Sequence, residues 1–334
     1  MSEPSASILS PLYQLDSYRH AFTDAGLWAP FINQVCTRHQ LPSTGAPRSG
    51  LPGTFPTFIV SDRWVVKFFG PLFEGLASFR VEQAVNQLLQ PPDFPIPALL
   101  ASGSLFSAEQ AEFPWPYLVY EYIPAASIGE VYDQLSYSTR LALARQMGQL
   151  LRRMHALPVP PGSAIPSGWD FYRDHLDRLA SDCPQRHLAW GSLSPPLLAE
   201  IPGYLLPPSA LLPPAPSPSL LHVDLTRDHL LGDLRDGDWQ LRAIIDFGDA
   251  ISGDLFYELV VLHLEIFDAN THLLREFLAA YQPSPFHRQD FVRKAMTLTL
   301  LHPYDAFAPL FARHPELRHC ESLPELAGSL WNPC

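Results

Sequence analysis

Two short stretches carry the residue types that chemistry needs. His222-Val-Asp224-Leu-Thr-Arg-Asp-His229 follows the apolar pair Leu220-Leu221, and Ile244-Ile-Asp246-Phe-Gly-Asp249 closes a second apolar run. Each run delivers a carboxylate at its end, and Asp224 and Asp246 stand 22 residues apart. Asp224 suits orienting or deprotonating a hydroxyl nucleophile. Asp246 suits a magnesium ion that bridges phosphate oxygens. Between them, Asp233-Leu-Arg-Asp-Gly-Asp238 reads as a turn. A hairpin from Leu230 to Ile245 would therefore return the second carboxylate beside the first. The spacing H-x-D-x-x-x-x-ligand, followed by I-D-F-G, is that of phosphoryl-transfer sites. The plain alternative is a pair of turns that happen to carry aspartates.

Lysine is nearly absent: Lys67 and Lys294 stand against twenty arginines. Lys67 lies in the apolar strand Val65-Val66-Lys67-Phe68-Phe69. A buried strand does not take an ammonium without a partner, and a compact point charge reaching a phosphate would account for lysine there. The alternative is an edge-strand lysine that points to solvent. Glu82, fifteen residues on, falls in a helical stretch and could hold that ammonium over a nucleotide. Upstream, Gly50 and Gly53 with Ser49, Thr54 and Thr57 form a loop between strands, where backbone N–H groups can approach phosphates. Its spacing matches neither a Walker A loop nor G-x-G-x-x-G.

These groups need elements to position them. Residues 17–39 show helical periodicity, with Phe22, Leu27, Phe31 and Val35 on one face. Residues 58–60 and 64–69 read as a hairpin across Ser61-Asp62, and 117–123 as a strand stopped by Pro124. Residues 79–89 read as a helix. Leu143, Met147, Leu150 and Met154 sit at helical spacing behind a Ser136 or Ser138 cap, and Pro158 ends that helix. The stretch Pro202 to Pro218 is so dense in residues lacking N–H that a surface loop is expected. Residues 257–267, 273–281 and 290–301 are helical in pattern. Strands dominate the first third and helices the rest, which predicts an α+β fold of two unequal lobes.

Composition bounds the function. The chain has 334 residues, 47% hydrophobic and 17% charged, which is globular and not disordered. With Lys+Arg 22 and Asp+Glu 34 the net charge is −12, so general nucleic-acid binding is disfavoured and a cationic small molecule is attracted. No apolar run is long enough to span a bilayer, and the first residues lack a basic secretion signal. Cys36, Cys183, Cys320 and Cys334 are scattered, without a C-x-x-C pair, and read as thiols of a cytoplasmic protein.

Taken together, these motifs resemble the aminoglycoside phosphotransferases, which have a protein-kinase-like fold, with the likeness nearest to the hygromycin B phosphotransferases. The resemblance runs through Val66 to Gly70, Pro114 to Val119, Leu143 to Gly148 and on to His155, and Trp190 to Pro195. It continues through His222 to Asp224, Ile245 to Phe247, Gly253-Asp254, Val261 to Leu264, Leu301-His302 and Leu330-Trp331. It implies a nucleotide-binding lobe over 1–123 and a catalytic and acceptor-binding lobe over 124–334. It implies Asp224 as the catalytic aspartate, Asp246 as the magnesium ligand, Lys67 as the nucleotide-phosphate lysine and Glu82 as its partner. Gly53 and Thr54 would lie near the phosphates, and backbone groups of Glu121 to Ile123 would meet the adenine edge. His155 matches a recurring helix-end histidine that serves packing. One position departs: the family has Asn five residues after the catalytic Asp, and here it is His229. Imidazole is a softer ligand than a carboxamide oxygen. His229 thus binds the metal directly or through water, leaves Asp246 to carry it, or marks a catalytically impaired pseudokinase.

Acidity concentrates around the signature. From Asp224 to Asp268 there are eleven Asp/Glu and three Arg. Asp249, Glu265 and Asp268 are the candidate acceptor carboxylates, since charge-assisted hydrogen bonds suit a polyamine sugar; a solvated acidic surface is the alternative. The expected activity is ATP- and Mg2+-dependent O-phosphorylation of a small cationic acceptor such as hygromycin B, with antibiotic resistance as one setting. A metabolic kinase of an amino sugar or amino alcohol is the nearest rival.

Overall fold

The computed structural model describes residues 4–51, 53–213, 217–281 and 288–333. The chain divides into two compact units. The first comprises Met1–Glu130, Asp228–Asp233 and Gln240–Asp249; the second comprises Val131–Arg227, Leu234–Trp239 and Ala250–Cys334.

In the first unit a five-stranded antiparallel sheet has the order β1-β2-β3-β5-β4, from β1 (Arg48–Ser49), β2 (Thr57–Val60), β3 (Trp64–Phe68), β4 (Leu99–Ser104) and β5 (Pro116–Glu121). The central place of β3 sets its chemistry. Successive side chains alternate faces. Val66 and Phe68 enter the large core, where Trp28 stacks on Phe68 at 4.7 Å and meets Trp115 edge-on at 5.4 Å. Lys67 and Phe69 take the opposite face, where Phe69 packs with Phe55, Leu118 and Tyr120. Helices α1 (Leu15–Ala21) and α2 (Ala25–Arg38) supply the other half of the large core through Tyr18, Trp28, Phe31, Ile32 and Val35. The expected single helix over 17–39 is two helices. The Asp24 carboxylate accepts from the N–H groups of Gly26 and Leu27 and starts α2 afresh. Helix α3 (Gly75–Leu88) turns Ser78, Val81, Glu82, Val85 and Asn86 inward.

A three-stranded sheet of order β6-β8-β9 joins β6 (Ala126–Ser127), β8 (Leu230–Arg235) and β9 (Asp238–Ile244). The expected hairpin is present: Gly237 at its tip has φ +85°, and at its base the Ile245 N–H donates to His229 O at 3.1 Å. A short helix, α4 (Ile128–Val131), follows β6.

The second unit is mainly helical: α5 (Tyr137–His155), α6 (Trp169–Ser181), α7 (Cys183–Trp190), α8 (Pro195–Tyr204), α9 (Pro208–Leu211), α10 (Leu255–Val261), α11 (Thr271–Tyr281), α12 (Arg288–Leu301), α13 (Phe307–Arg313) and α14 (Leu323–Trp331). Ser136 caps α5, its hydroxyl accepting from Thr139 N–H. The expectation of an unbroken loop from Pro202 to Pro218 is corrected. Pro202 sits inside α8, whose Leu197 and Ile201 are buried, and Pro208 opens α9. A proline at the first helical position loses no bond, and Pro202 removes only one from α8. Pro214 and Pro216 lie outside the described residues. The pair β7 (Ser219–Leu221) and β10 (Ile251–Gly253) is antiparallel, with Leu221 opposite Ile251. No helix among the described residues is long and apolar enough to cross a membrane. Cys36, Cys183 and Cys320 are free thiols; Cys334 lies outside the described residues.

Helices α5 and α11 approach so closely that a Cβ on Gly148 would stand 2.5 Å from Phe277 O and 2.9 Å from Ala280 Cβ. Both obstacles are rigid, so a methyl group there must push the helices apart. Gly148→Ala is expected to destabilise by about 1–3 kcal/mol and to lower the melting temperature by several degrees. An unchanged melting temperature would show that the helices yield freely.

Candidate active site

Lys67 is buried, at 6% exposure, and its ammonium meets two carboxylates. Nζ lies 2.6 Å from Glu82 Oε2 and 2.7 Å from Asp246 Oδ1. It also stands over the Phe69 and Phe55 rings, 5.2 and 5.8 Å from their centroids. Burial pulls the pKa of Lys67 down, but the charges of Asp246 and Glu82 outweigh it and hold the amine above the ordinary lysine value. The same burial raises Glu82, against the pull of Lys67. The solvent-facing alternative for Lys67 is therefore excluded by its position on a central strand.

Glu82 is held from behind. Its Oε1 accepts from Tyr120 OH at 2.8 Å, and the Asn86 amide donates to Tyr120 OH at 3.2 Å and to Glu82 O at 2.8 Å. Tyr120 and Asn86 were not singled out in the sequence. The alternation of β5 places Tyr120 on the Lys67 face, and helical spacing places Asn86 one turn after Glu82. Asp246 has φ +68°, a left-handed conformation that Asp tolerates better than most residues. Gly248 lets this segment lie against α3, since a Cβ there would stand 3.3 Å from Ser78 Cβ and 3.4 Å from Glu82 Oε2. His229 Nε2 is 3.7 Å from Asp246 Oδ2, so the hairpin base joins both candidate metal ligands.

Gly53 and Thr54 are exposed in the β1–β2 loop. Tyr18 of α1 ties that loop down, its OH donating to Thr54 O at 3.0 Å. Glu121 is exposed at the end of β5; its N–H donates to Ala98 O, Tyr122 N–H donates to Arg63 O, and Ile123 O accepts from Ala125 N–H. Asp249 is exposed beyond Asp246.

The second unit holds Asp224, half-buried just past β7. Its loop is anchored by Glu258 of α10, which is fully buried. Glu258 Oε2 accepts from His222 N–H at 2.6 Å and faces Val223 N–H at 3.5 Å, while Asp224 N–H donates to His222 Nδ1 at 3.3 Å. Val223 has φ +64°, which is strained for a β-branched residue and must be enforced by its surroundings. Glu258 is thus a structural carboxylate of the Asp224 loop that sequence reading counted only as acidity. His155 also lies here: its Nδ1 is 2.9 Å from Tyr281 OH and its Nε2 is 3.9 Å from Glu258 Oε2. Burial pulls His155 down to about 3 and pushes Glu258 up to about 7, so their contact is not an ion pair near neutrality.

Glu265 and Asp268 are brought together, with cations between them. Asp268 Oδ1 is 2.8 Å from Arg313 Nε, 3.2 Å from Arg227 Nη2 and 3.4 Å from His314 Nε2; Glu265 Oε1 is 3.4 Å from Arg313 Nη2.

The Glu258 environment has a sign that can be measured. Its folded-state pKa is raised above the ordinary 4.5. Its contribution to stability is therefore complete below that value and is lost as pH rises through about 7. Denaturant melts of the wild type and Glu258→Gln, at about pH 5 and about pH 8, should show the wild type losing ground at the higher pH. A difference independent of pH would place Glu258 at an ordinary carboxylate value.

A sequence model of the phosphotransferase enzyme family (APH) matches residues 51–292. A curated relative, lysine-specific demethylase JMJ21 of Arabidopsis thaliana, is 23% identical over 92% of this chain and 45% of that protein. The chain thus spans less than half the length of that relative. The GDP complex of aminoglycoside 2'-phosphotransferase-IIIa superposes with a TM-score of 0.63 at 19% identity, over 86% of this chain and 96% of that one. The streptomycin-ATP-APH(2")-IIa ternary complex gives 0.56 at 19% identity, over 89% and 98%. At these identities the likeness is one of fold. The fold is the protein-kinase-like α+β class expected from the sequence, with 51% of the described residues in helix and 14% in strand. With the family match covering well over half of its length, this chain belongs to the phosphotransferase enzyme family.

Proposed function

We propose that the chain is an ATP-dependent small-molecule O-phosphotransferase acting on a cationic hydroxylated acceptor, with aminoglycosides such as hygromycin B as the first acceptors to test. The observation that carries this reading is the buried Lys67 ammonium bound to both Glu82 and Asp246. A chain spends a buried cation and two carboxylates at one point where charge must be handled. In this reading residues 1–123 form the nucleotide lobe and 124–334 the catalytic and acceptor lobe. Lys67, oriented by Glu82, holds the nucleotide phosphates. Gly53 and Thr54 offer backbone to the phosphates, and Glu121 and Ile123 offer theirs to the adenine edge. Asp224 orients the acceptor hydroxyl and takes its proton as the phosphoryl group is attacked.

The residues fit Mg2+. Asp246 provides a hard carboxylate, and His229 stands beside it. Among the described residues no three His, Cys, Asp or Glu side chains form a group that could by itself hold a metal ion. That suits an ion bound by one or two protein groups and completed by phosphates and water. When bound, Mg2+ would neutralise phosphate charge; Lys67 supplies the protein's own share of that neutralisation.

The acceptor carboxylates are fewer than composition implies. Asp249 is exposed, whereas Glu265 and Asp268 would receive a cationic acceptor only in competition with Arg313 and Arg227. That observation favours a second reading, a kinase of an amino sugar or amino alcohol with a single charged group.

The test is a screen with labelled ATP across hygromycin B, other aminoglycosides, amino sugars and amino alcohols. Labelled product with one acceptor class selects between the two readings. Nucleotide-induced thermal stabilisation without transfer to any acceptor would leave a binding module and end both. Asp224→Ala should lower transfer by about 10^2–10^4-fold while ATP binding persists; full activity in that variant removes Asp224 from the reaction. His229→Asn should retain or raise Mg2+-dependent turnover, and a large fall would give the imidazole a role of its own.

A further inference from the structure

The helix that begins at Leu255 ends in an unusual way. After α10 the chain continues through a π-helical turn, Leu262–Ile266, before the left-handed residues Asp268 and Ala269, at φ +53° and +54°. A helix end leaves its last carbonyls without intrahelical donors. Here each has a partner. Ala269 N–H donates to His263 O at 2.9 Å. The next three carbonyls are taken by side chains: Arg313 Nη2 donates to Leu264 O at 2.7 Å, Arg227 Nε to Glu265 O at 2.6 Å, and Tyr132 OH to Ile266 O at 2.8 Å. Two cations at the negative end of a helix are electrostatically favoured.

Arg227 is the member of this set that belongs to the Asp224 loop, three residues after Asp224. Besides Glu265 O, its guanidinium lies 3.4 Å over the Tyr132 ring and 3.2 Å from Asp268. Its Nη2 is buried. The other side of the loop, His222 and Val223, is held by Glu258 of the same helix. One continuous helical segment therefore grips the loop on both sides of Asp224, through the Glu258 carboxylate before it and through the Glu265 carbonyl after it.

We propose that Arg227 is a positioning residue for phosphoryl transfer: its guanidinium, docked on the carbonyl end of residues 255–266 and stacked on Tyr132, sets the geometry of the Asp224 carboxylate. Asp268 and Glu265 then serve the loop through Arg227 and Arg313. Lysine keeps the charge at position 227 but lacks the planar fork that can stack on Tyr132 while donating to Glu265 O and facing the Asp268 carboxylate. The proposal rests on the reading of Asp224 as the catalytic aspartate.

The experiment compares the wild-type chain, Arg227→Lys and Asp224→Ala, using Mg-ATP with water as acceptor and any acceptor found in the screen. Arg227→Lys is expected to lower kcat by ten- to a hundredfold while KM for ATP stays within twofold. Hydrogen exchange of the 222–227 amides should speed up while that of 255–261 does not. A kcat within threefold of wild type, or a fall that merely follows the loss of folded protein measured by melting, overturns the proposal. If Arg227→Lys fails to fold, Tyr132→Leu, which removes the ring beneath the guanidinium, takes its place with the same readouts. Full activity in Asp224→Ala would instead defeat the functional reading, so the two failures are separable.

Discussion

A buried ammonium is the constraint around which the first unit is arranged. Transferring a lone lysine from water into protein costs several kcal/mol, so the site must supply opposite charge and hydrogen bonds at once. It does so from two distant parts of the sequence. Glu82 arrives on a helix whose inward face also carries Ser78, Val81, Val85 and Asn86, and Asp246 follows a hairpin, 179 residues from Lys67. Each needs support of its own: Tyr120 and Asn86 behind Glu82, a left-handed backbone at Asp246 and a missing side chain at Gly248. The charge is satisfied in the resting protein.

The second unit solves a different problem with similar means. A strained Val223 and a half-buried Asp224 cannot be held by loop packing alone. Helix α10 supplies a side-chain acceptor near its start, and the π turn that extends it supplies carbonyl acceptors at its end. The chain's other lysine, Lys294, reinforces that helix. It pairs with Asp254, the residue that caps α10, and lies 4.4 Å over the Phe256 ring. Both lysines thus end on buried or nearly buried carboxylates, while the arginines cover the surface and the carbonyl crown.

Much of this was legible beforehand, for reasons that separate the cases. Lys67 could be read because a cation in a β-branched and aromatic run contradicts burial unless it is paired. The hairpin could be read because Asp-Gly separates two apolar runs. Fold class followed from the change of hydrophobic period along the chain. What escaped depends on the third dimension. Glu258 looks like one acidic residue among many, and only the packing of α10 against the 222–224 loop gives it partners. Arg227 sits between chemically louder neighbours. The arginines beside Glu265 and Asp268 come from positions 227 and 313, too far apart in sequence for charge counting to pair them. Proline density misled at Pro202 and Pro208, because a count of missing N–H groups ignores where in a helix each proline falls.

The family match begins at residue 51, yet the two helices before it are not an appendage. Trp28, Phe31, Ile32 and Val35 roof the face of the sheet formed by Phe58, Val66, Phe68 and Tyr117, and Tyr18 nests against Gly70. Without them a broad aromatic wall would be wetted, and sheets with a bare apolar side self-associate. Helices α1 and α2 are thus part of the interior of the first unit. A boundary drawn where family resemblance starts would cut through the middle of one hydrophobic interior, and shared ancestry and independent folding part ways at that point in the chain.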